Sequence, residues 1–171
     1  MLSKFFNLYI RYFWSETKIA RYKGVEIGKN SIVTGVSFGS EPYLISIGDN
    51  VRITDGTKIF THGGARVLRK KHPDLDFFGK VDIGNNVYIG NNCLIMPGVK
   101  IGSNVIVGAG SVVTKSIKDN TIVGGNPARF ISNIEEFESK VVQKNLKTKG
   151  MSYIAKKEFL MSLPDEKFIQ K

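Results

Sequence analysis

Large apolar residues recur at every sixth position through the middle of the chain. Ile83, Ile89, Ile95, Ile101, Val107 and Val113 follow one another at that spacing, and Phe77 extends the series by one unit. A second series keeps step with it: Val81, Val87, Cys93, Val99, Val105, Ser111 and Ile117. Divided from Phe77 to Lys118, the stretch reads FFGKVD, IGNNVY, IGNNCL, IMPGVK, IGSNVI, VGAGSV and VTKSIK. An amphipathic helix repeats about every 3.6 residues and a strand every second one, so neither accounts for a period of six. A solenoid does. Hexapeptide repeats build a parallel β-helix in which a large residue fills the interior at each corner and a small one lets the chain turn. The predicted fold class is therefore an all-β solenoid.

The pattern extends toward the N-terminus with interruptions. VEIGKNSIVTGVSF places Ile27 and Val33 at the first position of a unit and Ser31 and Ser37 at the fifth, and IGDNVRITDGTKIF sends Ile47, Ile53 and Ile59 inward. Between these blocks GSEPYL, residues 39–44, reads as a turn or small loop. After the second block THGGARVLRKKHPDLD, residues 61–76, carries a Gly pair, a basic cluster and a His-Pro step, and is predicted to leave the solenoid as an external loop. The regular coil ends in DNTIVGGNPARFI.

Residues 1–22 set Phe5, Phe6, Tyr9, Tyr12, Phe13 and Trp14 among Lys4, Arg11 and Lys18. They predict a helical segment whose aromatic face caps the first coil, or else rests on a membrane surface. Beyond residue 133, IEEFESKVVQKNLK and YIAKKEFLMSL have helical spacing with Gly150 as the break, predicting C-terminal helices that cap the last coil. The organisation expected is an N-terminal segment 1–24, a β-helix 25–132 with its loop at 61–76, and a helical extension 133–171.

At 171 residues and 42% hydrophobic, the chain has the length for one domain with a real core. Its single cysteine, Cys93, falls on an inward repeat position, where a thiol packs as a small apolar group. No apolar run is long enough to span a bilayer, and the N-terminus lacks the apolar core of a secretory signal, so a cytoplasmic location is expected, at most at the inner face of the membrane. The formal charge of +10 raises nucleic acid as a partner, but it is dispersed, with +4 over residues 1–23 and +3 over residues 66–80, and no nucleic-acid motif accompanies it. A phosphate-rich cofactor, an anionic glycan or an acidic membrane surface accounts for it as well.

The string IGNNVYIGNNCLIMPGVKIGSNVIVGAGSVVTKSI, followed by IVGGNPARFI, resembles the left-handed β-helix acyltransferases of the hexapeptide-repeat superfamily. The nearest likeness is to sugar and polysaccharide O-acetyltransferases, with galactoside, maltose and xenobiotic acetyltransferases in the same group. The match covers residues 25–132. It implies a left-handed coil, against the usual hand of parallel crossovers. It also implies acetyl-CoA as co-substrate, a sugar or glycan hydroxyl as acceptor, and a homotrimer whose sites lie between two coils.

Two histidines occur, His62 and His72, and both fall in the predicted loop. Function on a solenoid tends to lie where a loop leaves the repeat. In the family a histidine at the start of such a loop is the general base, and His62 in IFTHGG matches it. A sugar hydroxyl is a poor nucleophile until its proton is removed, and imidazole suits that task near neutral pH. Asp55 is the candidate to orient the ring, although an Asp-Gly pair is equally ordinary turn chemistry. His72, before a proline in a basic run, is expected to be a solvated residue or an anion contact.

For the donor, the segment matching GAGSVVTK lines the acetyl-CoA groove in relatives, which assigns Ala109, Thr114 and Lys115, and GNPAR adds Arg129. Small residues admit the thin pantetheine arm, and Lys and Arg neutralise phosphate. Tyr88 and Asn91 match positions near the thiol end. Ser132 stands where some relatives have a further basic residue. Two histidines fall short of the three zinc ligands of a γ-class carbonic anhydrase, so no metal is expected. N-acetylation of an amino sugar or an antibiotic, and a non-catalytic scaffold, are the competing expectations.

Overall fold

The computed structural model describes residues 12–170. Each hexad of the central region contributes one short strand, and the strands stack into three parallel sheets. The first sheet holds β1 (Glu26–Ile27), β3 (Ile45–Ile47), β6 (Val81–Ile83) and β9 (Lys100–Ile101). The second holds β2 (Ile32–Val33), β4 (Arg52–Ile53), β7 (Val87–Ile89), β10 (Val105–Val107) and β12 (Thr121–Gly124), with β13 (Arg129–Asn133) antiparallel at its end. The third holds β5 (Lys58–Ile59), β8 (Leu94–Ile95) and β11 (Val112–Val113). Because the chain visits the sheets in rotation, it is a three-faced parallel β-solenoid.

Strand register measures the coil. Asp82 pairs with Lys100, Tyr88 with Ile106 and Leu94 with Val112, each 18 residues apart, so one turn is three hexads. Ser46 pairs with Asp82, Arg52 with Tyr88 and Lys58 with Leu94, each 36 residues apart. One full coil's length of chain therefore lies outside the solenoid between β5 and β6. That excursion is closed at its base by an antiparallel bridge between His62 and Phe78, and by the Gly79 N–H donating to the Thr61 carbonyl at 2.7 Å.

The interior is a column of first-position residues. Ile53, Ile89, Ile95, Val107 and Val113 are fully buried, and Ile59, Ile83 and Ile101 nearly so. At one fifth position Thr57, Cys93 and Ser111 stack as small residues. The Thr57 hydroxyl donates to the Gly90 carbonyl and accepts from the Cys93 N–H, while the Cys93 thiol lies 3.2 Å from the Gly108 carbonyl. Burial pushes the Cys93 thiol up, away from the reactive thiolate.

The corner between the first and second sheets is built on asparagine. Asn50, Asn86, Asn104 and Asn120 all have φ between 55° and 59°, a left-handed conformation that Asn tolerates better than most residues. Their side chains form a ladder, each amide donating to the next carbonyl at 2.7, 3.1 and 2.9 Å. Glycine serves a different purpose at Gly90, where an added Cβ would stand 2.6 Å from the Ala109 backbone N of the next coil. Close stacking of coils there leaves room only for a hydrogen.

Three repeat positions differ from expectation. Phe77 is 48% exposed and belongs to the excursion, not to the interior. Ile117 pairs with Ile101, only 16 residues away, so it occupies a first position and the last regular unit is two residues short. Ser37 is exposed, and its neighbour Phe38 is buried instead.

Residues 1–11, which carry most of the expected N-terminal helix and its aromatic face, lie outside the described residues. The described part is interrupted at Trp14 and Ser15, and α1 (Glu16–Tyr22) starts afresh with the Ser15 hydroxyl accepting from the Lys18 N–H. This helix packs on the first coil: Thr17 and Ala20 are buried, the Val33 N–H donates to the Thr17 hydroxyl, and Arg21 donates to the carbonyls of Ile27 and Gly28.

The chain divides into two units, Met1–Ile134 and Glu135–Lys171. The second comprises most of α2 (Ile134–Val142) together with α3 (Tyr153–Met161), capped by the Ser152 hydroxyl, with Gly150 at φ +91° between them. Neither helix buries a residue. Among the described residues no helix is long and apolar enough to cross a membrane.

Candidate active site

Both interruptions of the repeat leave from the same corner. Residues 39–44 follow the bridge of Ser37 to Lys58 and precede β3, and the excursion follows β5 and precedes β6. Each therefore departs between the third sheet and the first, in adjacent coils, and the two loops meet in space. Glu41 comes from the first and His62 from the second.

Glu41 Oε2 lies 2.7 Å from His62 Nδ1 and accepts from the Thr61 hydroxyl, also at 2.7 Å. Thr61 is 1% exposed and so fixed by the coil, while the His62 side chain is 44% exposed and the Glu41 side chain 15%. The Thr61 hydroxyl holds the Glu41 carboxyl below its ordinary value, helped by Ser40 and His62 and opposed by burial. An ionised Glu41 accepts but cannot donate, so Nδ1 carries the proton, and in the neutral ring Nε2 is the nitrogen with the lone pair. The Phe78 ring meets the imidazole edge-on at 5.9 Å between centroids, adding a second constraint on its orientation. Beside the ring an open pocket of about 240 Å³ is lined by His62, Gly63, Gly64, Ala65, Arg66, Arg69 and Asp76.

The structure does not bring Asp55 to His62. Asp55 lies at the corner between the second and third sheets, where its carbonyl accepts the Asn92 N–H at 2.9 Å. Adjacent coils are neighbours on a solenoid, whereas residues seven apart within a coil sit on different corners. Glu41 was missed by sequence reasoning for the same reason. The available signal was that both departures from the repeat follow a third-sheet position.

Four of the six predicted donor residues, Thr114, Lys115, Asn91 and Ala109, fall on two ridges that flank the third sheet. Phe60 donates to the Ile95 carbonyl and Met96 to the Val113 carbonyl, so Phe60, Met96 and Thr114 stack, and Lys115 follows Thr114 on the corner that carries His62. Two coils separate them, about 10 Å along the axis at ordinary strand spacing. On the other corner Asp55, Asn91 and Ala109 stack, with the Gly110 N–H donating to the Asn91 carbonyl at 2.8 Å. Thr114, Lys115, Asn91 and Ala109 are all exposed. Tyr88 projects, 46% exposed, from the outer face of the second sheet between Arg52 and Ile106. Arg129 is exposed on β13, opposite Gly124, at the closing end of the solenoid. His72 is exposed in the excursion, and its backbone N–H donates to the Leu68 carbonyl.

Residues 80–115 match the family model described as bacterial transferase hexapeptide (six repeats). Protein CapG of Staphylococcus aureus is 48% identical to this chain over 152 residues, which are 86% of this chain and 88% of CapG. The chain belongs to the hexapeptide-repeat transferases. A crystal structure of a maltose O-acetyltransferase from Clostridium difficile 630 matches with a TM-score of 0.61 at 29% identity, over 77% of this chain and 83% of that one. A galactoside acetyltransferase in complex with coenzyme A matches with a TM-score of 0.53 at 28% identity, over 72% of each chain.

The hexapeptide-repeat protein described here is an acyltransferase, with acetyl-CoA as its co-substrate. Its own residues fit that ligand: exposed cations at Lys115 and Arg129, and an exposed ridge at Asn91 and Ala109.

Proposed function

We propose that this acyltransferase O-acetylates a sugar hydroxyl of a bacterial surface polysaccharide or related glycoside, by direct transfer with His62 as general base. The observation that carries the reading is the 2.7 Å contact of Glu41 with His62 Nδ1, which leaves Nε2 as the free basic nitrogen at the mouth of a pocket. Acetyl-CoA supplies an activated acyl group as a thioester. His62 Nε2 takes the acceptor hydroxyl proton as that oxygen attacks the thioester carbon, and returns it to the departing sulfur. Glu41 stabilises the imidazolium formed meanwhile, as a positioning residue that acts through His62. The backbone N–H groups of Gly63 and Gly64 are the proposed donors to the developing oxyanion. Direct transfer suits the inertness of Cys93, whose thiol is buried and pushed toward its neutral form.

Thr114, Lys115 and Arg129 are assigned to the phosphate end of the donor, and Tyr88, Asn91 and Ala109 to its pantetheine and thiol end. Thr114 and Lys115 occupy one ridge of the solenoid and Asn91 and Ala109 another, which supports a site completed between two copies in a homotrimer of left-handed coils. A cytoplasmic location goes with this reading, since that is where acetyl-CoA is made available. The likeness to a maltose O-acetyltransferase and a galactoside acetyltransferase supports a carbohydrate acceptor here. The test is acetyl-CoA turnover, followed by thiol release, against fractionated cell-envelope sugars and against amino sugars and chloramphenicol. Preferred turnover of an envelope-sugar fraction, with an alkali-labile ester in the product, is expected. Turnover confined to an amine or an antibiotic would replace this reading with N-acetylation or drug modification.

A further inference from the structure

The pocket beside His62 is lined by two arginines and an aspartate, and these charges are not equally engaged. Arg69 donates from Nε to the Leu75 carbonyl at 3.2 Å and approaches Asp76 at 3.8 Å, so it is partly neutralised within the excursion. Arg66 lines the same pocket, is exposed, and makes no ion pair among the described residues. It stands in a 3-10 turn, Ala65–Val67, which Gly64 introduces with φ +76° and which buries Ala65. The turn anchors a long cation within four residues of the base.

Resting on the sugar-acetylation reading above, we infer that Arg66 recognises an anionic group on the acceptor, a carboxylate or a phosphate close to the hydroxyl that is acetylated. A guanidinium presents paired N–H donors that match either group bidentately. The phosphates of acetyl-CoA are not the partner. During transfer the thioester must lie at His62, and the pantetheine arm separates it from the first phosphate. A cation that shares a pocket with His62 therefore faces the acceptor side. Asp76, which also lines the pocket 3.8 Å from Arg69, disfavours acceptors that bring negative charge against it and so favours one orientation of the sugar.

The experiment compares kcat/KM for matched acceptors with saturating acetyl-CoA: methyl glucuronide against methyl glucoside, methyl galacturonide against methyl galactoside, and glucose 1-phosphate against glucose. Parent protein, Arg66→Gln, Arg66→Lys and Lys71→Gln are measured side by side; Lys71 carries the same charge on the same excursion outside the pocket. The expected result is a preference of at least about tenfold for a charged member. Arg66→Gln should abolish that preference by raising the acceptor KM, Arg66→Lys should restore part of it, and Lys71→Gln should keep it. The KM for acetyl-CoA should stay that of the parent in Arg66→Gln. Which pair shows the preference distinguishes carboxylate from phosphate. Equal turnover of charged and neutral members, or a rise in KM for acetyl-CoA in Arg66→Gln, would overturn the inference and leave sugar acetylation standing. Failure of the parent to acetylate any carbohydrate, while it acetylates another acceptor, would remove both.

Discussion

Glu41 and His62 stand 21 positions apart in the chain and are joined by one short contact, so each can be tested through the other. Glu41→Gln keeps the shape of the side chain and removes the charge that stabilises the imidazolium. It should lower kcat by about 10- to 100-fold while the KM for acetyl-CoA stays close to that of the parent, and Glu41→Asp should recover part of the loss. Glu41 is held below its ordinary value, so its pairing is intact at pH above the usual carboxylate range and is lost only as pH falls through the lowered value. A rising limb of kcat/KM with pH above the carboxylate range is therefore not a titration of Glu41. A parent-like kcat in Glu41→Gln would remove its positioning role. At the donor end, Lys115→Ala and Arg129→Ala each delete a charge-assisted contact to phosphate of about 1.5–3 kcal/mol, and each should raise the KM for acetyl-CoA with little change in kcat. Calorimetry showing unchanged CoA affinity in both would move the phosphate site elsewhere. His62 was legible from the sequence because a histidine at a break in the repeat is conspicuous. Its partner was not, since the sequence shows neighbours along the chain and the solenoid makes neighbours across coils.

At the scale of the strand and corner, burial follows the hexad. Ile101, in β9, is 3% exposed, so Ile101→Asp buries a charge with no partner and should cost more than about 3 kcal/mol, or prevent folding. A soluble variant with a parent-like melting curve would refute the register. The asparagine ladder separates two contributions. Asn104→Gly keeps the left-handed conformation and loses only hydrogen bonds, whereas Asn104→Ala also strains the backbone and should be less stable than the glycine variant by about 1–2 kcal/mol. Equal stability of the two would assign the corner to hydrogen bonding alone. The period of six was plain from Val81 to Val113 because every first position there is apolar. Phe77 misled because the excursion is one coil long, so an exposed residue outside the solenoid keeps the hexad phase. Ile117 misled in the opposite way, since a two-residue shortening moves it from the fifth position to the first. Periodicity reports phase, and phase does not reveal how much chain has been inserted or removed.

At the scale of the whole molecule, the two ridges that flank the third sheet divide Thr114 and Lys115 from Asn91 and Ala109, and the proposed homotrimer would bring them to one groove with a second copy. Sedimentation equilibrium should therefore find a particle of three chains at working concentrations, and full activity from a monomer would contradict the shared site. The fold, the corner and the pairing of Glu41 with His62 converge on one claim, that His62 removes the acceptor proton during direct acetyl transfer. It is tested most directly by kcat of His62→Ala on the acceptor fraction that the parent prefers, with CoA affinity measured on the same sample. The account predicts unchanged CoA binding, a kcat lower by about 10²- to 10⁴-fold, and loss of the rising limb in the pH profile of kcat/KM, while His72→Ala keeps most activity. Turnover by His62→Ala at the parent rate would contradict it.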